Sequence, residues 1–207
     1  MAKLIELFEK EASRVPPISR GEAEAYEKHY ELLQIWNEQI NLVSRKSIEN
    51  AFAIHYVDSI QISNATRPFI ESRSLCDLGT GAGFPGMVFA IRYPEVPITL
   101  YEKSLRKHSF LSVALTSLKV SNANLAQTFI KRSEPSFLLV RAVFPKNELF
   151  EFMAKNLSPG SRFVQAVGGN TPIADPPKPF ERVHRYEYVL PNQAGGRAID
   201  IIELMKK

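Results

Sequence analysis

Apolar positions along the chain follow two regimes. Over residues 1–70 they recur at helical spacing. Leu4, Ile5, Leu7, Phe8 and Ala12 make one face, closed by Pro16-Pro17 because proline has no amide hydrogen to continue a helix. Ser19-x-x-Glu22 is a capping-box signature, and Tyr26, Tyr30, Leu33 and Ile40, with Trp36 beside them, form the stripe that follows. A third helix is expected from near Ser47, burying Phe52, Tyr56 and Ile60. His55, Asp58 and Ser59 share another face of it at i, i+3 and i+4. Such a cluster fits the mouth of a site, or, more commonly, a local hydrogen-bonded brace.

From Ser74 onward short apolar runs alternate with helical patterns, which implies a parallel sheet covered on both faces. The strands expected are Leu75–Leu78, Ile98–Glu102, Asn124–Ala126, Phe137–Val140 and Arg162–Val167. Helices are expected at Met87–Ile91, Leu105–Lys119 and Asn147–Asn156. A polar, proline-rich loop over 168–179 leads to a closing antiparallel pair, Val183–Leu190 and Ala198–Leu204. Asp175-Pro176-Pro177 is read as part of that loop. The division expected is an N-terminal helical segment, 1–70, and a sheet domain, 71–207.

Composition narrows the class. The 207 residues are 44% hydrophobic, and no apolar run approaches the ~20 residues that span a bilayer. Met1 to Lys10 mixes charge with Leu and Ile, unlike a signal peptide. Cys76, the one cysteine, falls inside the first expected strand, so a buried thiol in a reducing cytoplasm is expected. Net charge is +4, but residues 1–70 hold 8 Lys+Arg against 10 Asp+Glu, whereas 71–207 hold 18 against 12. The basic excess lies in the sheet half, where it fits either a phosphate-bearing partner or an ordinary solvated surface. Lys103, Arg106, Lys107 and Arg141 are candidates for phosphate contacts.

The chemistry concentrates at Leu75 to Gly86, where an apolar run carries Asp77 and then breaks into Gly79-Thr-Gly81-Ala-Gly83-Phe-Pro-Gly86. A strand, a glycine turn and a helix start bring backbone N–H groups close to a ligand. Gly81-x-Gly83-x-x-Gly86 satisfies the dinucleotide fingerprint. Asp77-x-Gly79-x-Gly81-x-Gly83 instead resembles the first motif of Rossmann-like, S-adenosylmethionine-dependent methyltransferases. Asp77 and Pro85 favour the second reading. Glu102, ending the second strand, suits a ribose in either.

Several acceptors are disfavoured. An exocyclic-amine enzyme would carry Asn/Asp-Pro-Pro-aromatic after the fourth strand, where this chain has Val140-Arg-Ala-Val-Phe144. Carbon methylation of a pyrimidine needs a cysteine nucleophile, and Cys76 is misplaced for it. No His/Cys/Glu set has metal-ligand spacing. An acceptor that is already nucleophilic remains, such as guanine N-7, for which positioning suffices.

Trp36-Asn37-x-x-Ile40-Asn41-Leu42, His55-x-x-Asp58-Ser59, the Asp77–Gly86 loop, Lys107 to Leu111 and Arg141-Ala142 together resemble the RsmG (GidB) family of bacterial 16S rRNA guanine-N(7)-methyltransferases. The resemblance covers Trp36 to Gly169, and Gly196-Arg197 extends it toward the last strand. It implies an S-adenosylmethionine-dependent methyltransferase sheet preceded by helices. The implied substrate is a guanine of small-subunit rRNA, naked or in an assembled particle, and the enzyme is expected to be a cytoplasmic monomer without metal. By the same resemblance Asp77, Gly79, Gly81, Gly83, Phe84, Glu102, Ile130, Lys131 and Arg141 bind the cofactor, Ile130 and Lys131 through their backbone. Arg141 is also the candidate catalytic residue, holding a phosphate or the guanine edge, against an alternative role as a structural ion pair.

The chain departs from the family pattern in three places. Val140 replaces the serine of Ser-Arg-Ala, Ala166-Val167-Gly168 stands where Leu-Lys-Gly is usual, and Thr128-Phe129-Ile130-Lys131 occupies the place of Arg-x-Glu. Three other readings stay open: a methyltransferase for another RNA or a small molecule, a non-catalytic RNA-binding relative, and a nucleotide-dependent oxidoreductase.

Overall fold

The computed structural model describes residues 3–141, 143–168, 174–191, 193 and 195–206. Ala142 of the Arg-Ala motif, Gly169 and part of the two expected C-terminal loops lie outside them. The helical spacing of the N-terminal residues becomes α1 (Leu4–Lys10), α2 (Arg20–Asn37), α3 (Arg45–Glu49) and α4 (Asp58–Thr66). The capping box forms as read: Ser19 Oγ accepts from the Glu22 amide at 3.2 Å and Glu22 returns the bond to the Ser19 amide at 2.7 Å. Tyr26, Tyr30 and Leu33 are buried, but α2 stops at Asn37, leaving Ile40 half-buried in the turn beyond. Asn37 Oδ1 ends the helix by accepting from the Leu42 and Val43 amides (2.9 and 3.0 Å).

The third helix differs from expectation. Ser44, not Ser47, caps it, and it closes at Glu49. The chain then resumes as a π-helical turn, Phe52–Val57, that runs directly into α4. Phe52, Tyr56 and Ile60 are buried all the same.

The sheet comprises β1 (Ser74–Leu78), β2 (Ile98–Tyr101), β3 (Ala123–Ala126), β4 (Ser136–Val140), β5 (Arg162–Gly168), β6 (Phe180–Val189) and β7 (Gly196–Leu204), in the order β3-β2-β1-β4-β5-β7-β6. The strands from β3 across to β5 are parallel; β7 is inserted antiparallel between β5 and β6. The crossover helices are α5 (Gly86–Arg92), α6 (Leu105–Leu118) and α7 (Lys146–Asn156). β6 starts three residues before the expected Val183 because a bulge between Arg182 and His184 breaks its alternation. Val183 is thereby turned outward while Phe180 stays in the core. Asp175-Pro176-Pro177 is irregular chain, as read.

Along β1 and β4 both faces of the sheet are buried, which is why those strands read as apolar runs. One core joins Leu4, Phe8, Tyr26 and Tyr56 of the N-terminal helices to Leu75, Met87, Leu139 and Ile201. The opposite core gathers Cys76, Leu138, Met153 and Phe163 beneath α7. No helix among the described residues is long and apolar enough to cross a membrane.

Arg92 on α5 clamps the N-terminal segment to the sheet. It bonds Glu22 (2.5 Å), Asn64 (2.6 Å) and the Pro17 carbonyl (3.0 Å). Arg92→Ala leaves the half-buried Glu22 oxygen unmet, unties Asn64 and Pro17 from α5, and is expected to cost about 2 kcal/mol. Arg20→Ala, which removes an exposed pair with Glu24, is expected to leave stability almost unchanged. Chemical denaturation of the two variants checks the contrast.

Candidate functional site

Register places Leu78 beside both Tyr101 and Val140, so the segments leaving β1, β2 and β4 emerge together at one edge of the sheet. Strand order reverses between β1 and β4, which opens a crevice at that edge. The Gly79 and Thr80 amides donate to the Tyr101 carbonyl (2.9 and 3.1 Å) and curl the loop over β2. Gly79, Gly81 and Gly83 have φ of +70°, +61° and +93°, a region that side chains disfavour. A Cβ on Gly79 would also lie 2.7 Å from Val143 Cγ2.

Two carboxylates pin this loop. Asp77, buried beneath it, accepts from the Gly86 amide at the start of α5 (2.8 Å). Gly86 has no room for a side chain, because a Cβ would stand 2.5 Å from that carboxylate oxygen. Glu102 holds the other side, accepting from the Gly81 amide (3.0 Å) and the Ser104 amide (2.8 Å). Burial raises Asp77 to about 6, with the Thr80 hydroxyl, the Gly86 amide and Arg141 pulling it back.

Phe84 keys the loop to the N-terminal helices. His55 stacks on it (4.8 Å between centroids, 15° between planes), while His29 (5.4 Å) and Tyr56 (5.1 Å) meet it edge-on. The Arg141 guanidinium lies 5.6 Å from the same ring. His29 bonds the Tyr56 hydroxyl through Nδ1 at 2.8 Å. Burial lowers His29 to about 4; burial, then Arg141, His29 and Arg197, lower His55 to about 3. Both are neutral at physiological pH. Arg141 can only donate, so His55 Nδ1 accepts from it (3.1 Å) and the ring proton resides on Nε2.

Asp58, 1% exposed, ties the C-terminal strands to this corner. It accepts from Arg141 (3.1 Å), the Tyr188 hydroxyl (2.7 Å) and Arg197 (3.4 Å). Arg141 also donates to the Ile54 carbonyl (3.0 Å). Of the polar cluster seen in sequence, His55 and Asp58 form a brace through Arg141, which follows β4, and Asp58 extends it to β6 and β7, while the Ser59 hydroxyl has no partner among the described residues. His55 in the π turn and Asp58 at the start of α4 both bond the one Arg141 guanidinium.

These groups enclose a cleft of about 380 Å³. Leu42, Val43, Ser44 and Ser47 form one wall, and the loop from Gly79 to Ala82, Phe84, His55, Arg141 and Arg197 form the other. Of the residues expected at a cofactor, Gly79, Gly81, Phe84 and Arg141 line the cleft. Asp77 supports the loop from beneath, and Gly83 sits against Met87 and His29. Ile130 and Lys131 are exposed on the β3–β4 connection. Phe129 and Arg132 anchor that connection: Phe129 packs on Tyr101 (5.1 Å), and Arg132 bonds the Tyr101 hydroxyl (2.7 Å) and Cys76 Sγ (3.2 Å). Cys76 is buried as expected, and burial raises its thiol.

His29, Tyr188, Arg132 and Val143 were not singled out from sequence. His29 had a signal: it lies on the Tyr26–Tyr30–Leu33 stripe, a polar residue on an apolar face. The others act through partners far away in the chain.

The buried histidines fix a pH dependence. Their folded pKa values lie below the ordinary 6.5, so the unfolded chain binds more protons and stability falls as pH drops from 6.5 toward 4 and 3. Asp77 opposes this, gaining stability as pH falls from about 6 toward 3.8. At pH 5 each histidine is expected to cost about 2 kcal/mol relative to pH 7. His29→Phe should make the stability loss between pH 7 and pH 5 shallower by about that amount, measured by denaturant unfolding at both.

The family described as rRNA small subunit methyltransferase G (GidB) matches residues 22–172. The ribosomal RNA small subunit methyltransferase G of Bacteroides fragilis is 32% identical over 146 residues, 70% of either chain. That of Streptococcus pneumoniae is 30% identical over 165 residues, 75% of this chain and 69% of the relative. Among solved structures, a putative methyltransferase, yhhF, from Escherichia coli superposes with a TM-score of 0.54 at 17% identity, covering 72% of this chain and 86% of its own. A mutant of MtNAS in complex with S-adenosylmethionine gives 0.57 at 15% identity, covering 88% and 75%. The two structures share the fold; the sequence matches carry the kinship, and by them this chain belongs to the GidB family, rRNA small subunit methyltransferase G.

Proposed function

We propose that the protein transfers the methyl group of S-adenosylmethionine to N-7 of a guanine in small-subunit (16S) ribosomal RNA, acting in the cytoplasm as a monomer. One observation carries this reading: the glycine loop, pinned between Asp77 and Glu102, stands at the strand-order reversal beside Arg141 in a chain of this family.

The residues present suit that cofactor. Gly79 and Gly81 offer a backbone curve with no side chains. Each Glu102 oxygen has one amide partner, so lone pairs remain for ribose hydroxyls. Phe84 contributes an apolar surface, and the backbone at Ile130 and Lys131 takes the adenine. Bound S-adenosylmethionine supplies a methyl group already activated on sulfur. Guanine N-7 presents an in-plane lone pair and loses no proton before attack, so the chain needs to position and desolvate rather than deprotonate. Leu42 and Val43 make the wall that keeps water away.

Arg141 is the residue we assign to the reacting groups. Ile54, Asp58 and His55 engage three of its N–H groups, leaving two donors for a phosphate or the O-6 of guanine. Val140 is buried and Val167 brings no charge to the end of β5. Arg197, in register with Gly168 on the neighbouring strand, carries the cation there.

Labelled methyl transfer to small ribosomal subunits lacking the modification, with mapping of the product base, tests the reading. Label on a single guanine N-7 is the expected result. Absence of label with cofactor binding intact would redirect it to another acceptor or a non-catalytic RNA binder. Arg141→Lys keeps a charge beside Asp58 but loses the fork. It is expected to lower transfer at least about tenfold, roughly 1.4 kcal/mol, in a protein that is still folded at the assay temperature. Normal turnover would refute the role of Arg141.

A further inference from the structure

Arginines at both edges of the parallel sheet are ion-paired, Arg141 and Arg197 with Asp58 at the carboxyl edge, but the carboxyl edge gathers a further group of cations that is not. At the amino edge, where β1, β2 and β5 begin, arginines are compensated: Arg67 by Glu95 (3.1 Å), Arg73 by Glu71 (2.7 Å), and Arg162 by Glu203 (2.6 Å) and Glu71 (2.9 Å). At the carboxyl edge Lys103, Arg106 and Lys107 follow β2, Lys131 follows β3, and Arg45 and Lys46 stand on α3 beside the cleft. Among the described residues none of these six has an ion pair. Unpaired cations gathered at one edge suit a polyanion, and here they surround the mouth of the site.

The loop between α2 and α3 divides this edge into two hollows. Its far side, Leu42 to Ser44, lines the 380 Å³ cleft already described. Its near side, from Glu38 to Asn41, lines a second hollow of about 280 Å³ whose opposite rim is Ser104, Arg106 and Lys107. The partition is fixed in place, because Asn37 Oδ1 holds the Leu42 and Val43 amides. The second hollow mixes two kinds of group. Arg106 and Lys107 match a phosphate, whereas Glu38, Gln39, Asn41 and the Ser104 hydroxyl match sugar hydroxyls and base edges. A bare anion would use only the first kind and be opposed by Glu38; a ribonucleotide uses both, through its phosphate and its 2′-hydroxyl.

Resting on the reading that the cleft receives a base of an RNA, we propose that the second hollow holds a nucleotide flanking the target, so that the strand bends over residues 38–44. Arg106 and Lys107 take its phosphate, while Glu38 and Asn41 take its ribose. The loop then acts as a wedge that separates the target base from its neighbour.

Nitrocellulose filter binding of 16S rRNA across a salt series, run beside methyl transfer to small subunits, tests this. Arg106→Ala/Lys107→Ala is expected to bind the RNA about tenfold more weakly at 0.1 M salt, with a log–log salt slope shallower by about 1.5. Its affinity for S-adenosylmethionine, measured by calorimetry, should stay within about twofold of wild type. Asn41→Asp, which removes a donor and adds charge, should weaken RNA binding while leaving melting unchanged. Lys155→Ala is the control: Lys155 lies at the end of α7, which returns the chain to the amino edge, and its loss should not change the slope. Wild-type RNA affinity and slope in the double variant would overturn the proposal while leaving the methyltransferase reading intact. Weakened S-adenosylmethionine binding with unchanged RNA binding would overturn it too, assigning the hollow to the cofactor. A wild-type protein that neither binds nor methylates the RNA would remove both.

Discussion

A single carboxylate, that of Asp58, joins every layer at the crevice. Burying a charge is costly unless partners surround it, and Asp58 has three, from the residue after β4 and from β6 and β7. It sits where a π turn becomes α4, so its position depends on one irregular helical turn. Through it the N-terminal helices and the C-terminal strands, remote in sequence, fix one guanidinium at the edge of the cleft. Arg141 is thus both an ion-paired structural residue and a candidate for substrate contact; the same bonds that hold it in place determine which of its hydrogens remain available.

Around that ion cluster the protein keeps its two buried histidines uncharged. His29 and His55 flank Phe84 and are neutral because burial disfavours the imidazolium, with Arg141 and Arg197 adding to the effect at His55. The glycine loop therefore rests on aromatic contacts and on two carboxylates that accept from its amides, Asp77 at Gly86 and Glu102 at Gly81. Charge is confined to the floor of the cleft and to its rim.

Much of this was legible in the sequence, for reasons of period and conformation. Doubly buried strands are mostly apolar, so β1 and β4 were readable. The glycine turn was readable because three positive φ values permit little else. Ser19 and Glu22 announced α2 because capping is local. Features that rest on distant partners were not readable. The π turn at Phe52–Val57 matches a normal helix in its apolar pattern, and the bulge near Val183 alters alternation without leaving a glycine. Arg132 beneath Tyr101, and Tyr188 on Asp58, depend on pairings 31 and 130 residues apart. His55 and Asp58 drew notice as a pair, but nothing local indicated that Arg141, 83 residues beyond Asp58, would join them.

The span of the Asp58 cluster bears on how the protein comes into being. Its partners Tyr188 and Arg197 follow it by 130 and 139 residues, after all five parallel strands have been laid down. During synthesis a chain that has already exposed its glycine loop still lacks the strands that complete the partners of Asp58. Nascent domains settle as their last elements arrive. A partly made chain would thus hold Arg141 against Ile54, His55 and Asp58 but lack the tyrosine and the second arginine on Asp58, and the step that inserts β7 between β5 and β6 is also the step that completes the site.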